Sequence, residues 1–166
     1  CPLPVVCAVH GACFGGGIDL ITACDVRLCA EGARFSVKEV DVAIVADIGT
    51  LQRLPGIVGE GNARELCLTA REFGAAEARQ MGLVTAVYPD QGALVEAAVG
   101  MAAAMAKKSP LAVQGTKQAL LFARDHDVAA GLEHVRCLNG GLLYSSDLRE
   151  VLAARAERRV PTFSRL

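Results

Sequence analysis

Residues 4–24 read PVVCAVHGACFGGGIDLITAC. Pro4–His10 is a short apolar run bounded by Pro and Gly, which predicts a buried strand and not a helix. Gly11 and the run Gly15-Gly16-Gly17 supply the backbone freedom for a turn. Ile18, Leu20 and Ile21 then fall where a short buried helix would need them. The decisive unit is therefore strand, glycine loop, helix.

Downstream the same alternation continues. DVRLCA (25–30) and ARFSV (33–37) have strand length and apolar clustering. KEVDVAIVADIGTLQRLPGIVG (38–59) turns helical in its latter half, with an end expected at Pro55. Residues 62–70 and 75–81 read as helices, and LVTAVYPD (83–90) as a returning strand. From Gly92 onward every segment carries a helical pattern: 94–108, 111–125 after the break at Ser109-Pro110, 128–143 and 146–158. The expectation is one α/β domain, with a core over residues 1–90 and a helical region over 91–166.

Composition excludes several classes of function. Hydrophobic residues at 52% and charged residues at 21% fit a globular chain. With 17 basic against 18 acidic residues, no long-range field attracts nucleic acid or an anionic membrane. No uninterrupted apolar stretch reaches the roughly eighteen residues that a span requires, so neither nucleic acid nor membrane is expected as a partner. The seven cysteines form no CxxC pair and have no histidine at zinc-ligand spacing, so we expect reduced, mostly buried thiols and no metal site. The chain opens at Cys1 without Met and enters a strand almost at once, which suggests further sequence upstream.

Chemistry concentrates in the first third. A glycine run before a helix exposes backbone N–H groups that can hold developing negative charge, and Gly16 is the candidate donor. Such runs also serve tight turns, so the string alone is weak evidence. Three carboxylates follow: Asp19, Glu39 and Asp47. Asp47 stands among Ile44, Val45, Ala46 and Ile48, where an ionised carboxylate is costly unless paired, solvated by a cleft or protonated. The plainer alternatives are that Asp19 complements a helix dipole and that Asp47 caps the TLQRL helix. His10, His126 and His134 enter no mechanism.

With these residues in view, residues 4–59, together with TAREFGAAEARQMGLVTAVYPD (69–90) and KSPLAVQGTKQALLFARDH (108–126), resemble the enoyl-CoA hydratase/isomerase (crotonase) family. The dienoyl-CoA isomerase branch fits best. Hydratases of the family carry Glu at the positions of Asp19 and Glu39 and no acid at that of Asp47, whereas the branch carries Asp, Glu and Asp. The resemblance implies a crotonase-like spiral ββα fold with a helical C-terminal region, the N-terminal part lying outside this chain.

It further implies conversion of 3,5-dienoyl-CoA to 2,4-dienoyl-CoA by a 1,5-proton shift in unsaturated fatty-acid oxidation. Glu39 would be the C2 base, Asp47 the C6 donor and Asp19 a support for the polar network; the first two roles could be exchanged. The Gly16 N–H would form half of an oxyanion hole, the second donor coming from an upstream loop. Coenzyme A would be part of the substrate, with no separate cofactor, and the assembly a homotrimer or homohexamer. Ala43 and Val45, larger than the branch's usual residues, would narrow the acyl pocket. Alternatives are an enoyl-CoA hydratase, a Δ3-Δ2-enoyl-CoA isomerase, or an inactive fragment acting as an assembly module. Ser164-Arg165-Leu166 resembles a peroxisomal C-terminal signal; a mitochondrial address upstream is the other option.

Overall fold

The computed structural model describes residues 1–164, so Arg165 and Leu166 of the signal-like tripeptide lie outside the described residues. The chain divides into two compact units, with the division at Met101.

The first unit, Val5–Met101, contains six short strands. β1 (Val6–Val9), β3 (Val26–Ala30) and β6 (Ala86–Tyr88) form a parallel sheet in the order β1-β3-β6, with Val6 opposite Val26 and Leu28 opposite Ala86. β2 (Ala12–Phe14), β4 (Arg34–Ser36) and β5 (Phe73–Gly74) form a second sheet in the order β2-β4-β5. β2 and β4 are parallel, β4 and β5 antiparallel. The first four strands thus alternate between the sheets. Gly11, at φ 66°, makes the corner between β1 and β2, a backbone conformation that favours glycine. The sequence predicted β1, β3, β4 and β6 but not β2, which falls within the glycine-rich stretch read as a turn, or β5, which has only two residues.

Helix α1 (Gly16–Ala23) follows β2, and a one-turn 3-10 helix (Glu39–Val42) follows β4. α2 (Thr50–Val58) and α3 (Glu60–Thr69) come next, then α4 (Ala75–Gln80) between β5 and β6. α2 runs through Pro55 instead of stopping there. The proline removes one ladder bond in the helix interior, while Leu54 and Val58, both buried, anchor the turns on either side of it.

Period two is plain in β3. Cys29 faces a core built from Ile18, Ile21, Phe35, Leu54, Leu66 and Leu83. Leu28 and Ala30 face the opposite way, onto Leu94 and Ala98 of α5 (Gln91–Ala106). Burial of this parallel sheet on both faces follows from having helices on each side. Phe35 and Phe73 stack across the β4–β5 pair with ring centroids 5.5 Å apart, and each buried large apolar side chain adds about 1.5–3 kcal/mol.

The second unit comprises Cys1–Pro4 and the chain from Ala102 onward. It holds α6 (Pro110–Asp125), α7 (Val128–Leu142) and α8 (Ser146–Ala156), capped at their N-termini by the side chains of Ser109, Asp127 and Ser145. Lys117 Nζ donates to the Leu3 carbonyl at 2.8 Å, tying the first residues to α6. α6 and α7 contain no buried residue, and Leu120, Leu121, Val128 and Leu132 are exposed. A cleft of about 510 Å³ between these two helices is lined by Gly115, Ala119, Leu132 and Val135 among others.

Cysteine burial is more graded than the sequence suggested. Cys13 and Cys29 are buried, Cys7, Cys24 and Cys67 half-buried, and Cys1 and Cys137 exposed; all seven are free thiols. Among the described residues no helix is long and apolar enough to cross a membrane, and no group of three or more His, Cys, Asp or Glu could hold a metal ion.

Candidate functional site

The site begins at Gly15. Its backbone lies at φ 51° and ψ −115°, and its N–H donates to the Ser36 carbonyl at 3.0 Å, fastening the glycine loop to β4. Ser36 is in turn held by its hydroxyl, which donates to the Ala70 carbonyl at 2.6 Å. The loop leads into Gly16, the first residue of α1. Backbone N–H groups in a helix's first turn have no partner within the helix, so those of Gly16 and Gly17 lie where an oxygen ligand could take them.

Glu39 approaches this loop from the other side. A Cβ placed on Gly15 would lie 3.2 Å from Glu39 Oε1, so the missing side chain of Gly15 is what lets the carboxylate sit there. Glu39 is only 8% exposed, and its Oε2 is buried without a hydrogen-bond partner. A buried, unpaired carboxylate oxygen is expensive. The Cys67 thiol is pushed up first by burial and then by the charge of Glu39, which places α3 beside the same carboxylate.

Asp19 belongs to the buried face of α1, but its carboxylate points at the start of α2. Oδ1 accepts from the Thr50 N–H at 2.9 Å and from the Thr50 hydroxyl at 2.7 Å. No residue of the 43–49 loop caps α2 by its side chain: the N-cap position is Gly49, and Asp47 does not fill that role. Asp19 supplies the acceptor from a distant element instead. Both simple alternatives are thereby altered, since Asp19 acts on a helix other than its own.

Asp47 sits on that loop, and its surroundings differ from the buried run that its apolar neighbours suggested. Asp47, Ala43, Val42, Ile44, Val45 and Ile48 are all exposed, and Ala46 alone in this stretch is buried. The cause is backbone geometry. After Glu39 the chain makes one 3-10 turn, and Ala43 adopts a left-handed conformation at φ 60°. The following residues leave the core as an irregular loop and never enter a sheet. Glu39 therefore lies against the glycine loop at Gly15, the residue before Gly16, Asp19 holds the start of α2, and Asp47 belongs to the exposed loop between Glu39 and α2.

Sequence reasoning overlooked Gly49, Thr50 and Arg53. Arg53 Nη2 donates to the main-chain oxygens of Asp19 (3.0 Å) and Ile48 (2.8 Å), and Nε donates to Thr22 Oγ1 at 3.3 Å. The signal was the four-residue spacing from Gly49 to Arg53 in GTLQRL, which brings a glycine and an arginine together across the first turn of a helix.

Comparison with known proteins gives a consistent relationship. A family model described as Enoyl-CoA hydratase/isomerase matches residues 1–165. A Delta(3,5)-Delta(2,4)-dienoyl-CoA isomerase, peroxisomal, from Arabidopsis thaliana is 52% identical over 166 residues, covering all of this chain and 60% of the relative. The mitochondrial isomerase of the same description from Homo sapiens is 49% identical over 170 residues, covering all of this chain and 52% of the relative. Among solved structures, an enoyl-CoA hydratase from Bacillus anthracis aligns with a TM-score of 0.93 at 37% identity, over 98% of this chain and 62% of its own. The chain thus spans between about half and three fifths of the length of these proteins.

Proposed function

Because the chain belongs to the enoyl-CoA hydratase/isomerase family, we propose that it carries the acid/base centre of an enzyme converting 3,5-dienoyl-CoA to 2,4-dienoyl-CoA. The observation that carries this reading is Glu39, a buried carboxylate with one oxygen unpartnered, held against the glycine loop at the start of α1. A base in that setting suits removal of a carbon-bound proton, because it is weakly solvated and has a free oxygen to receive it.

In this reading Glu39 takes the proton from C2. The C–H electrons pass into the conjugated system, and negative charge collects on the thioester oxygen. The Gly16 N–H at the α1 terminus stabilises that charge, as one of the two donors such holes use. Asp47 returns a proton at C6, so the two double bonds move from positions 3 and 5 to positions 2 and 4 with no net change in atoms or electrons. Asp19 keeps α2, and so the end of the Asp47 loop, in place. Glu39 and Asp47 could exchange their roles without altering the balance. Coenzyme A enters as part of the substrate, and the reaction draws on no further cofactor.

The identities of 52% and 49% to proteins named dienoyl-CoA isomerases, against 37% to the hydratase, favour this chemistry over water addition. A homotrimer, or two trimers as a hexamer, is the assembly in this reading, supported by the exposed apolar residues of α6 and α7. A peroxisomal location is supported by the name of the Arabidopsis relative. The name of the human relative supports a mitochondrial one.

The test is to supply the full-length protein containing this chain with a 3,5-dienoyl-CoA and follow the near-ultraviolet absorbance of the conjugated product. Signal that disappears in Glu39→Gln and Asp47→Asn is the expected result. Hydration of a 2-enoyl-CoA without dienoyl conversion would replace the proposal with the hydratase reading. Inactivity in both assays, with assembly onto an active homologue, would replace it with a structural role.

A further inference from the structure

We propose that Arg53 is a positioning residue that holds the Asp47 loop to α1, with Gly49 as the gap that admits it. The inference rests on the assignment of Asp47 to proton transfer, and it concerns residues to which that assignment gives no part.

The loop is tethered at its two ends. At the first end, the Ala43 N–H donates to the Val40 carbonyl at 3.3 Å and the Ile44 N–H to the Glu39 carbonyl at 3.1 Å. At the other, the Ile48 carbonyl receives Arg53 Nη2 at 2.8 Å, and the Thr50 N–H is taken by Asp19. Between these anchors only the small Ala46 is buried. An exposed loop with so few ties opens at low cost, so the position of Asp47 depends on the anchor one residue after it.

Arg53 is built for that anchor. One amino group, Nη2, bridges two main-chain oxygens, that of Asp19 on α1 and that of Ile48 beside Asp47. Nε reaches a third acceptor on α1, the Thr22 hydroxyl, which itself donates to the Asp19 carbonyl at 3.0 Å. A guanidinium presents several donors in one rigid plane, whereas a lysine ammonium is a single point and cannot hold the same span. The three acceptors are neutral oxygens, so the bonds fix geometry without cancelling the cation.

Gly49 completes the device. At φ 104° it occupies a conformation that side chains resist, and a Cβ there would come within 2.6 Å of Arg53 Cζ. The guanidinium occupies the space that any other residue at position 49 would fill. Glycine and arginine thus form a matched pair across the α2 start, and either change disturbs the same contact.

The experiment uses the full-length protein as Arg53→Lys, Arg53→Met and Gly49→Ala. Two readouts are taken: amide hydrogen exchange over residues 45–50, and kcat and KM for a 3,5-dienoyl-CoA. Arg53→Met should speed exchange in that segment by about tenfold or more and lower kcat by about 10²-fold with KM changed less than about threefold. Arg53→Lys keeps the charge and the stem, so it decides the matter if Arg53→Met does not fold, and should show the same pattern more weakly. Unchanged exchange together with unchanged kcat would overturn the proposal, as would a rise in KM at constant kcat. If the wild type does not turn over the dienoyl thioester, the functional reading fails. The exchange data then decide the anchoring role by themselves.

Discussion

The Asp19 carboxylate accepts both the N–H and the hydroxyl of Thr50, so an acid in the first turn of α1 serves as the cap of α2, thirty-one residues away. Both residues are buried, at 4% and 1% exposure, which removes water as a substitute partner. Asp19→Ala should therefore destabilise the fold by about 2–3 kcal/mol, the range for buried groups left without a charged acceptor. Asp19→Asn keeps an oxygen acceptor for both donors and should cost about 1 kcal/mol or less. Chemical denaturation of the two variants measures the difference, and equal losses would show that charge, not capping, is what Asp19 provides.

Glu39 calls for the opposite pattern. Its Oε2 is buried and unpartnered, so the folded protein carries a cost that Glu39→Gln relieves in part. The variant should melt at or above the wild-type temperature while losing about 10²- to 10⁴-fold in dienoyl-CoA turnover, the span that positioned general bases contribute. A protein that loses stability along with activity would point to a structural carboxylate instead.

Two left-handed positions bracket Glu39, and they should respond differently. Gly15 at φ 51° faces Glu39 Oε1, so Gly15→Ala should cost about 1–2 kcal/mol and displace the carboxylate. Ala43 at φ 60° already bears that strain on an exposed loop, so Ala43→Gly should stabilise by up to about 1 kcal/mol. Thermal melts check both signs.

These positions show what the sequence made legible. The β1, glycine loop and α1 unit was readable because seven apolar residues and three glycines act locally. That Glu39 lies near the glycine loop was readable through family resemblance. The Asp19–Thr50 bond and the Arg53 bridge were not, because each joins segments about thirty residues apart and leaves no periodic trace. The apolar run around Asp47 was misleading for a related reason. Hydropathy suggested burial, but the turn at Ala43 carries that run out of the core.

The cysteines give the first unit an alkaline limit. Burial pushes the thiol of Cys7 up to about 12, with Cys24 adding to the rise, and those of Cys13 and Cys29 up to about 11. An unfolded thiol ionises at about 8.5. Between these values the folded state keeps protons that the unfolded chain has released, so stability is intact below about pH 8.5 and is lost as pH rises toward 11–12. Urea midpoints measured from pH 7 to pH 11 should decline over that upper interval. Cys7→Ala should flatten the decline, and an unaltered slope would show that Cys7 does not contribute to it.

In the second unit, Ser109 joins two helices through one hydroxyl. It accepts from the Ala112 N–H at 3.1 Å as the cap of α6, and donates to Asp147 Oδ2 in the first turn of α8 at 2.6 Å. Asp147 is 6% exposed, so the donated bond matters as much as the accepted one. Ser109→Asn can do both and should cost little. Ser109→Ala loses both and should cost about 1–2 kcal/mol. Ser109→Asp is the discriminating change, because aspartate caps a helix as well as serine does but sets a second carboxylate against Asp147. At pH 7 it should be less stable than Ser109→Ala. Helical circular dichroism during urea titration at pH 7 follows this directly. A Ser109→Asp protein as stable as Ser109→Asn at neutral pH would mean that the hydroxyl caps α6 without tying it to α8.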